Sequence, residues 1–313
     1  MKYVIATLAV VLAALLGLVA ASCGVGHGAE SAGPVPTAEP GGDIAGTSSA
    51  SGSDTVPAPS GSNGASTSTG VPALMTYQVW FTRGESLFEV SRTENATPRV
   101  GTTAMEALLE GPDPSEQAAA VGSQIPAGTQ HLGLTVDNGV ATVDLTSEFE
   151  SGGGSASMNM RIAQVVYTLT QFPTVKGVLF ELDGRRVDVL GGEGVIVDHP
   201  VTRKDYRTLL PAILVRSPAI GERVSNPVTV SGSANVFEAN VTVDVVDANG
   251  KVVGSTFTTA TCGTGCRGTF TVTVAYDISS ATRGLIIVHD DDVAGTGTPP
   301  HEVRIPVVLT PSS

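Results

Sequence analysis

The chain has 313 residues, a formal net charge of −13 and an aromatic content of 4%. The length leaves room for two ordinary domains. The acidic balance argues against nucleic-acid binding, because an acidic surface repels phosphate groups.

The first 23 residues have the layout of a secretory signal. A short basic start precedes an apolar run over residues 4–20, and the segment closes at Cys23. It resembles a bacterial lipoprotein signal, in which the cysteine is diacylated and becomes the new N-terminus. The resemblance predicts lipidation at Cys23 and a position on the extracytoplasmic face of the cell membrane. Two alternatives stay open: a plain cleaved signal, which gives a secreted protein, and a retained membrane-spanning helix.

Residues 24–74 are dominated by Gly, Ser, Pro, Ala and Thr and show no apolar periodicity. Such a composition buries too little apolar surface to fold. We expect a disordered, flexible linker between the anchor and the folded part of the chain.

A first folded domain is predicted over residues 75–199. Residues 77–82 alternate in the manner of a strand, and residues 87–90 are expected to pair with them. Trp80 points to the opposite strand face from its neighbours, so it either packs under a helix or is exposed for a partner.

A helix follows these strands. Thr103 and Glu106 have the spacing of a capping box at a helix N-terminus. Gly111 and Pro112 are a suitable C-terminal break.

The middle of the domain predicts a hairpin and a second helix. Asn138-Gly139 lies between two alternating runs, 131–136 and 140–145, which is a strong hairpin signal. Apolar residues recur at helical spacing over 158–169. Two further strands are predicted over 175–182 and 186–190. The order of elements indicates an α+β domain with helices on one face of a largely antiparallel sheet.

A second domain is predicted over residues 213–313, after an interdomain linker at 200–212. Seven short β-rich runs separated by turn residues favour an all-β immunoglobulin-like sandwich.

Cys262 and Cys266 enclose Gly-Thr-Gly. In an oxidising compartment this spacing favours a local disulfide, with free thiols and a metal site as alternatives. A zinc site would need two more ligands, and none is close in sequence. The bond would stiffen a hairpin tip rather than hold the domain together.

The first domain resembles the germane domain of bacterial sporulation and spore-germination proteins. The resemblance lies in five segments, 79–81, 104–112, 125–129, 139–145 and 167–173. Segments of the second domain, among them Ser217-Pro218 and Ser225-Asn226-Pro227-Val228, resemble the immunoglobulin-like (Gmad2-type) module that follows a germane domain. The germane fold is also similar to ring-building domains of secretion systems, which implies scaffolding rather than catalysis.

Motifs for chemistry are scarce. The five histidines are scattered, and the best metal-like cluster, His289 to Asp292 with His301, lacks the spacing of a Ca²⁺ loop. Gly152 to Ser155 has no Lys and fits a loop better than a phosphate site. Asp144, Glu148 and Glu150 are the carboxylates to consider for sugar hydrolysis, but spacing cannot show the separation that this requires. We therefore expect no catalytic residues, no metal and no cofactor.

The sequence predicts a non-enzymatic, lipid-anchored envelope protein that binds or scaffolds assemblies. The resemblance implies that these assemblies act in sporulation or germination. The candidate partner-binding residues are Trp80, Arg161 and Gln164, and the expected partners are the membrane, envelope proteins and further copies of the chain. The first alternative is a module that binds peptidoglycan or another glycan. A hydrolase with a site at the domain junction is the other.

Overall fold

A computed structural model describes residues 73–291 and 301–312. The predicted signal, Cys23 and residues 24–72 of the predicted linker lie outside the described residues. Within the described part of the chain, no helix is both long and apolar enough to cross a membrane.

The N-terminal domain mixes strands with three α-helices. In chain order its elements are β1 (Leu74–Arg83), β2 (Ser86–Asn95), α1 (Val100–Glu110), α2 (Pro114–Ala118), β3 (Val121–Gly122), β4 (His131–Asp137), β5 (Val140–Leu145), α3 (Ser155–Leu169), β6 (Gly177–Leu182), β7 (Arg185–Arg186), β8 (Val189–Leu190) and β9 (Val195–Ile196).

These strands form separate sheets. One has the order β2-β1-β3, another the order β4-β5-β6-β7, and β8 pairs with β9. The α+β class is confirmed, but β5 and β6 pair in parallel. This parallel pair arises because α3 lies between them and carries the chain back to the starting end of the sheet.

The side chains of α3 close the free edge of β1. Gln171 exchanges two hydrogen bonds with the backbone of Gln78, and the Trp80 amide donates to the Thr168 hydroxyl at 3.1 Å. Gln164 donates to the Trp80 carbonyl at 3.1 Å. Gln164 and Thr168 lie one turn apart on the same face of α3, and Gln171 follows in the turn directly after the helix. This polar face, which we call the α3 stripe, takes the place of a neighbouring strand.

The start of α1 differs from the prediction. The helix begins at Val100 with Arg99 at the N-cap and without a side-chain cap, so Thr103 lies inside the helix. Its predicted end is confirmed, since Gly111 follows with a φ of 88°. The capping box is found instead at the next helix, α2, where Asp113 is the N-cap and Glu116 completes the box.

The hairpin and the second predicted helix are confirmed. β4 and β5 are joined by Asn138 and Gly139, both at positive φ, and α3 covers the predicted 158–169. Predicted strand 186–190 is divided instead between β7 and β8. The core between sheets and helices holds large, fully buried side chains, among them Tyr77, Phe81, Phe149, Phe180, Met105, Leu108 and Ile162.

The C-terminal domain is a β-sandwich, as predicted. Its strands are β10 (Ile213–Ser217), β11 (Arg223–Val224), β12 (Val228–Ala234), β13 (Asn240–Asp247), β14 (Val252–Thr259), β15 (Gly268–Val274), β16 (Thr282–His289) and β17 (Glu302–Leu309). One sheet has the order β10-β12-β15 and the other β11-β17-β16-β13-β14. The described residues thus contain the short β11 in addition to the predicted runs.

Candidate functional site

A groove of about 590 Å³ opens on the N-terminal domain beside the segment that leads to the C-terminal domain. We call it the α3 groove. Its walls come from the β1–β2 turn, the loop after β3, the first turns of α3 and the connecting segment. The lining residues are Gly84, Glu85, Gln124, Ala156, Ser157, Asn159, Met160, Asp205, Tyr206, Thr208 and Leu209.

The connecting segment 200–212 is ordered and held against α3. The Arg203 guanidinium donates to the Tyr167 carbonyl at 2.7 Å and to the Thr170 hydroxyl at 2.8 Å. It also lies over the rings of Tyr167 and Trp80, 4.7 and 5.6 Å from their centres. These contacts cap the C-terminal end of α3 and fix the residues that follow Arg203 beside the groove.

Asp205 forms a local turn within this segment. Its Oδ2 accepts hydrogen bonds from the Thr202 amide at 2.7 Å and the Thr202 hydroxyl at 2.9 Å. The side chain of Asp205 is otherwise exposed at the groove. One carboxylate oxygen is therefore committed to the fold, and the other is free to accept from a ligand.

Tyr206 is the one aromatic residue among the described groove residues, and it is only 6% exposed. Its hydroxyl has no hydrogen-bond partner among the residues that the structure describes, although the ring is packed in the core. Burial, with a smaller contribution from the Asp205 charge, raises the pKa of Tyr206 to about 12. The phenol is thus neutral at physiological pH, and the residue is part of the groove lining.

The charged residues that line the α3 groove are both acidic. Glu85 and Asp205 are its two charged residues, and both are exposed. Gln124 and Ser157 add polar groups, and Ser157 donates to the Gln124 side-chain oxygen at 3.0 Å. Such a lining suits a cationic or hydrogen-bond-donating ligand and disfavours an anion.

A smaller groove of about 320 Å³ meets the first at Gly84 and runs onto the C-terminal domain. The Arg83 guanidinium lies between the domains, where it donates to the Arg304 carbonyl at 2.9 Å and lies 5.3 Å from the centre of the Phe88 ring. Because residues of both domains line it, this second groove depends on how the domains are joined.

The domains are joined by an ion pair with a buried carboxylate. The Glu89 side chain on β2 is 2% exposed, and Arg216 on β10 donates to it at 2.6 Å. Arg267 of the C-terminal domain donates to the Pro211 carbonyl of the connecting segment and to the Ser233 carbonyl of its own domain. The Arg216 side chain is 54% exposed, but its loss would leave the buried Glu89 carboxylate without a partner. An unpaired buried carboxylate is costly, so this contact favours the observed arrangement of the two domains.

The three predicted partner-binding residues lie in the interior. Trp80 is 3%, Arg161 4% and Gln164 0% exposed. Gln164 belongs to the α3 stripe, and Arg161 donates to the carbonyls of Phe149 and Gly152, which fixes the loop before α3. Trp80 therefore follows the packed alternative of the two that its strand position left open, and the expectation of an exposed partner face at Arg161 and Gln164 is wrong. An amphipathic pattern shows that a helix has a polar stripe, but not that the stripe meets a buried strand edge.

The carboxylates considered for sugar hydrolysis serve as local acceptors. Asp144 accepts from the Gly184 amide at 3.0 Å, and Glu150 accepts from the Gly191 amide at 3.3 Å. A hydrogen bond from Thr146 lowers the pKa of Glu148. The N-terminus of α3 is capped by a residue far along the chain, because the Glu193 carboxylate accepts a hydrogen bond from the Ser155 amide at 2.6 Å.

Each histidine of the described cluster lies beside a carboxylate. His301 lies 2.6 Å from Asp290, and His289 lies 3.4 Å from Asp244. Asp292 is outside the described residues. In the part of the chain that the structure describes, no group of three or more His, Cys, Asp or Glu side chains is arranged to hold a metal ion.

Cys262 and Cys266 are joined as a disulfide in the structure, with their Cα atoms 5.8 Å apart. The bond closes the tip between β14 and β15. No contact links it to either groove.

Sequence reasoning did not find the groove residues. Glu85 stands in an ordinary two-residue turn, and Tyr206 and Asp205 stand in a segment predicted only as a linker. The Thr202–Asp205 spacing, which is typical of a local turn closed by a carboxylate, is the one signal of order in that segment.

Comparison with known proteins finds a matching family for each domain. Residues 75–188 match the Germane family, described as sporulation and spore germination. Residues 212–296 match the Gmad2 family, described as the immunoglobulin-like domain of bacterial spore germination. The chain carries a Germane domain followed by a Gmad2 domain. The α3 groove is therefore formed by the Germane domain and the segment that connects it to Gmad2.

Solved structures with similarity to the chain include domains of GerM, a sporulation protein from Bacillus subtilis. Its first GerMN domain is 19% identical with a TM-score of 0.35, and the match covers 42% of this chain and 99% of that domain. The tandem GerMN domains are 12% identical with a TM-score of 0.39, and the match covers 77% of this chain and 62% of theirs. A comparison with curated proteins found no match.

Proposed function

We propose that this chain is a non-enzymatic binding protein of the bacterial cell envelope, anchored by acylated Cys23 and acting in an assembly of the sporulation or germination type. The Germane–Gmad2 unit would be the platform that contacts the partner. The signal-like residues 1–23 support export and anchoring, and the two family matches support the sporulation or germination context.

The observation that carries this proposal is the fixed junction between the domains. Glu89 is buried against Arg216, and Arg83 bridges to the backbone of the Gmad2 domain. A flexible pair of domains would lose conformational entropy on binding a partner across both of them, whereas a rigid pair has already lost it. The junction thus favours a platform that presents two adjoining grooves as one surface.

The carboxylates of the Germane domain support a role without catalysis. Asp144, Glu150 and Glu193 each accept a backbone hydrogen bond that holds a turn or a helix start. General acid–base catalysis needs a carboxylate that can reach a substrate proton. These three carboxylates serve the fold instead.

Crosslinking in intact cells tests the platform. A photoreactive residue placed at Thr208, on the rim of the α3 groove, is expected to capture specific envelope proteins. The same residue at Glu238, an exposed position of the Gmad2 domain far along the chain, is the matched control. Capture of cell-wall fragments alone would overturn the proposal in favour of glycan binding.

The anchor is tested separately. The Cys23→Ser chain is expected to appear in the medium or the soluble extracytoplasmic fraction, and to lose incorporation of a labelled fatty acid. Retention of the label in Cys23→Ser would contradict acylation at this position. Membrane retention without any label in the original chain would favour the spanning helix.

A further inference from the structure

Both charged residues of the α3 groove carry carboxylates, which only accept hydrogen bonds when ionised. Glu85 offers a carboxylate and Asp205 offers the oxygen that Thr202 does not use. The Tyr206 hydroxyl has no partner among the described residues and offers a third oxygen. A primary ammonium group has three donors and no acceptor. The groove therefore matches an ammonium group in both charge and hydrogen-bonding type.

The lining also contains two long aliphatic side chains. Met160 is buried and Leu209 is half-buried at the groove. A long methylene chain that ends in an ammonium group covers apolar surface with its stem and keeps its charge at the polar rim. This combination is found in the side chain of lysine.

A glycan fits the lining less well. Tyr206 is the aromatic side chain of the groove, and its ring is packed in the core at 6% exposure. Trp80 is buried as well. Among the residues that line the groove, a sugar ring would therefore find no exposed aromatic face on which to stack, and it would leave the carboxylates of Glu85 and Asp205 without a cation.

We propose that the α3 groove binds a lysine side chain in an extended peptide segment of a partner protein. The inference rests on the proposed function, because it supplies the chemistry of the partner that the platform would hold. Glu85 and Asp205 receive the ammonium group, Tyr206 adds a hydrogen-bond oxygen, and Met160 with Leu209 contacts the stem.

The test is a titration of the full-length chain, purified in detergent, with short peptides observed by NMR. The probe is Gly-Lys-Gly blocked at both ends. Its matched control carries acetylated lysine, which keeps the stem but removes the charge. We expect saturable shifts of groove residues with the lysine peptide, weakened by salt because the pair is exposed, and none with the acetylated peptide.

Substitutions assign the binding to the groove. Glu85→Gln is expected to weaken binding about threefold and the double variant with Asp205→Asn about tenfold, in line with exposed charge pairs of up to about 1 kcal/mol each. Glu110→Gln, an exposed carboxylate on α1 outside the groove, is expected to leave binding unchanged. Because Glu85 lies in an exposed turn, its substitution does not endanger the fold.

Several outcomes would overturn this inference. Equal binding of the acetylated peptide, indifference to both substitutions, or no saturable shift up to roughly 10 mM, where even weak charge pairing is visible, would each do so. Binding of an N-acetylglucosamine oligomer in place of the peptide would move the groove to glycan recognition. If the double variant still captures the same envelope proteins in cells, only the lysine inference fails and the platform stands.

Discussion

Gln164 shows how one buried polar residue connects three parts of the Germane domain. Its nitrogen donates to the Trp80 carbonyl at 3.1 Å, and its oxygen accepts from the Gln124 amide at 2.9 Å. The residue is fully buried. A backbone group that loses such a partner has no water to replace it.

Replacing Gln164 by Leu is therefore expected to lower the free energy of unfolding by about 2 kcal/mol, because the buried Trp80 carbonyl and the part-buried Gln124 amide lose their partner. Denaturant unfolding measures this change as a lower midpoint. Gln130→Leu is the control, since Gln130 is exposed and its side chain makes no hydrogen bond to the described residues. An equal loss in both variants would contradict the role given to Gln164.

Tyr206 gives a prediction at alkaline pH. Burial and Asp205 raise its pKa to about 12, compared with an ordinary value of about 10. Between these values the unfolded chain loses the phenolic proton while the folded chain keeps it, so folded stability is complete below pH 10 and falls as pH rises towards 12. Tyr206→Phe should show a smaller decline over this window.

Absorbance at about 295 nm follows the same group directly. The difference between the titrations of the original chain and Tyr206→Phe isolates one phenol among the five tyrosines. A midpoint of that difference near the ordinary tyrosine value of about 10 would mean that the ring is not buried as described.

The short helix α2 depends on its cap. The Asp113 carboxylate accepts from the amides of Ser115 and Glu116, and the Glu116 carboxylate accepts from the Asp113 amide. Glu116 also forms a bidentate salt bridge with Arg92 on β2, with N–O distances of 2.6 and 2.7 Å. One capping box thus ties the helix to the sheet beside the domain junction.

Asp113→Ala is expected to cost about 1 kcal/mol, the usual value of an N-cap. Thr103→Ala is the contrasting variant, because Thr103 has the sequence signature of a cap but lies inside α1, where Ala is a good helix former. It should be neutral or slightly stabilising. Thermal unfolding of the two variants compares them, and a larger loss in Thr103→Ala would show that α1 begins later than described.

The stability that the Asp113 cap contributes also depends on pH. Burial alone would raise the pKa of Asp113, but hydrogen bonds from Ser115 and Glu116 outweigh it and lower the pKa. A carboxylate of this kind stabilises the fold above its unfolded pKa of about 3.9, and that stability is lost as pH falls through the lower folded value. The difference between the original chain and Asp113→Ala should therefore shrink in acid.

Local signals were the part of the fold that could be predicted from the sequence. Asn138-Gly139 specified a hairpin because both positions need positive φ, and Gly111 ended α1 for the same reason. The cap of α1 was misplaced because Thr103 and Glu106 fit a local pattern that the backbone does not use. Local rules cannot tell which of two nearby caps is adopted when tertiary packing decides.

Long-range features of the fold could not be predicted from local sequence signals. The parallel pairing of β5 with β6 depends on where α3 packs, and the α3 stripe depends on the free edge of β1. The α3 groove gathers Glu85, Gln124, Ser157 and Tyr206 from four separated segments. No motif marks such a gathering, because each residue is ordinary in its own segment.

At the scale of the whole molecule, the junction predicts cooperative unfolding. Arg216→Ala leaves the buried Glu89 carboxylate without its partner, so we expect a loss of about 2 kcal/mol and the appearance of two unfolding transitions in place of one. Scanning calorimetry observes both effects. Adding Glu89→Gln to this variant should recover part of the loss, because the unpaired charge is then removed.

Arg283→Ala is the control for the junction, since Arg283 is exposed on β16 and its side chain makes no hydrogen bond to the described residues. It should leave a single transition with a change of less than about 0.5 kcal/mol. Two transitions in the original chain would show that the domains unfold independently and that the platform is flexible.

The α3 stripe also sets an order of events in folding. Thr168 and Gln171 reach β1 across 88 and 93 positions of the sequence. The β1–β2 hairpin is synthesised well before α3, so the edge of β1 stays open until the helix has formed and docked. Contacts this distant form slowly, and an open edge is a template for another chain. Between formation of the hairpin and docking of the helix, this edge is therefore a place where a newly made chain can pair with another chain.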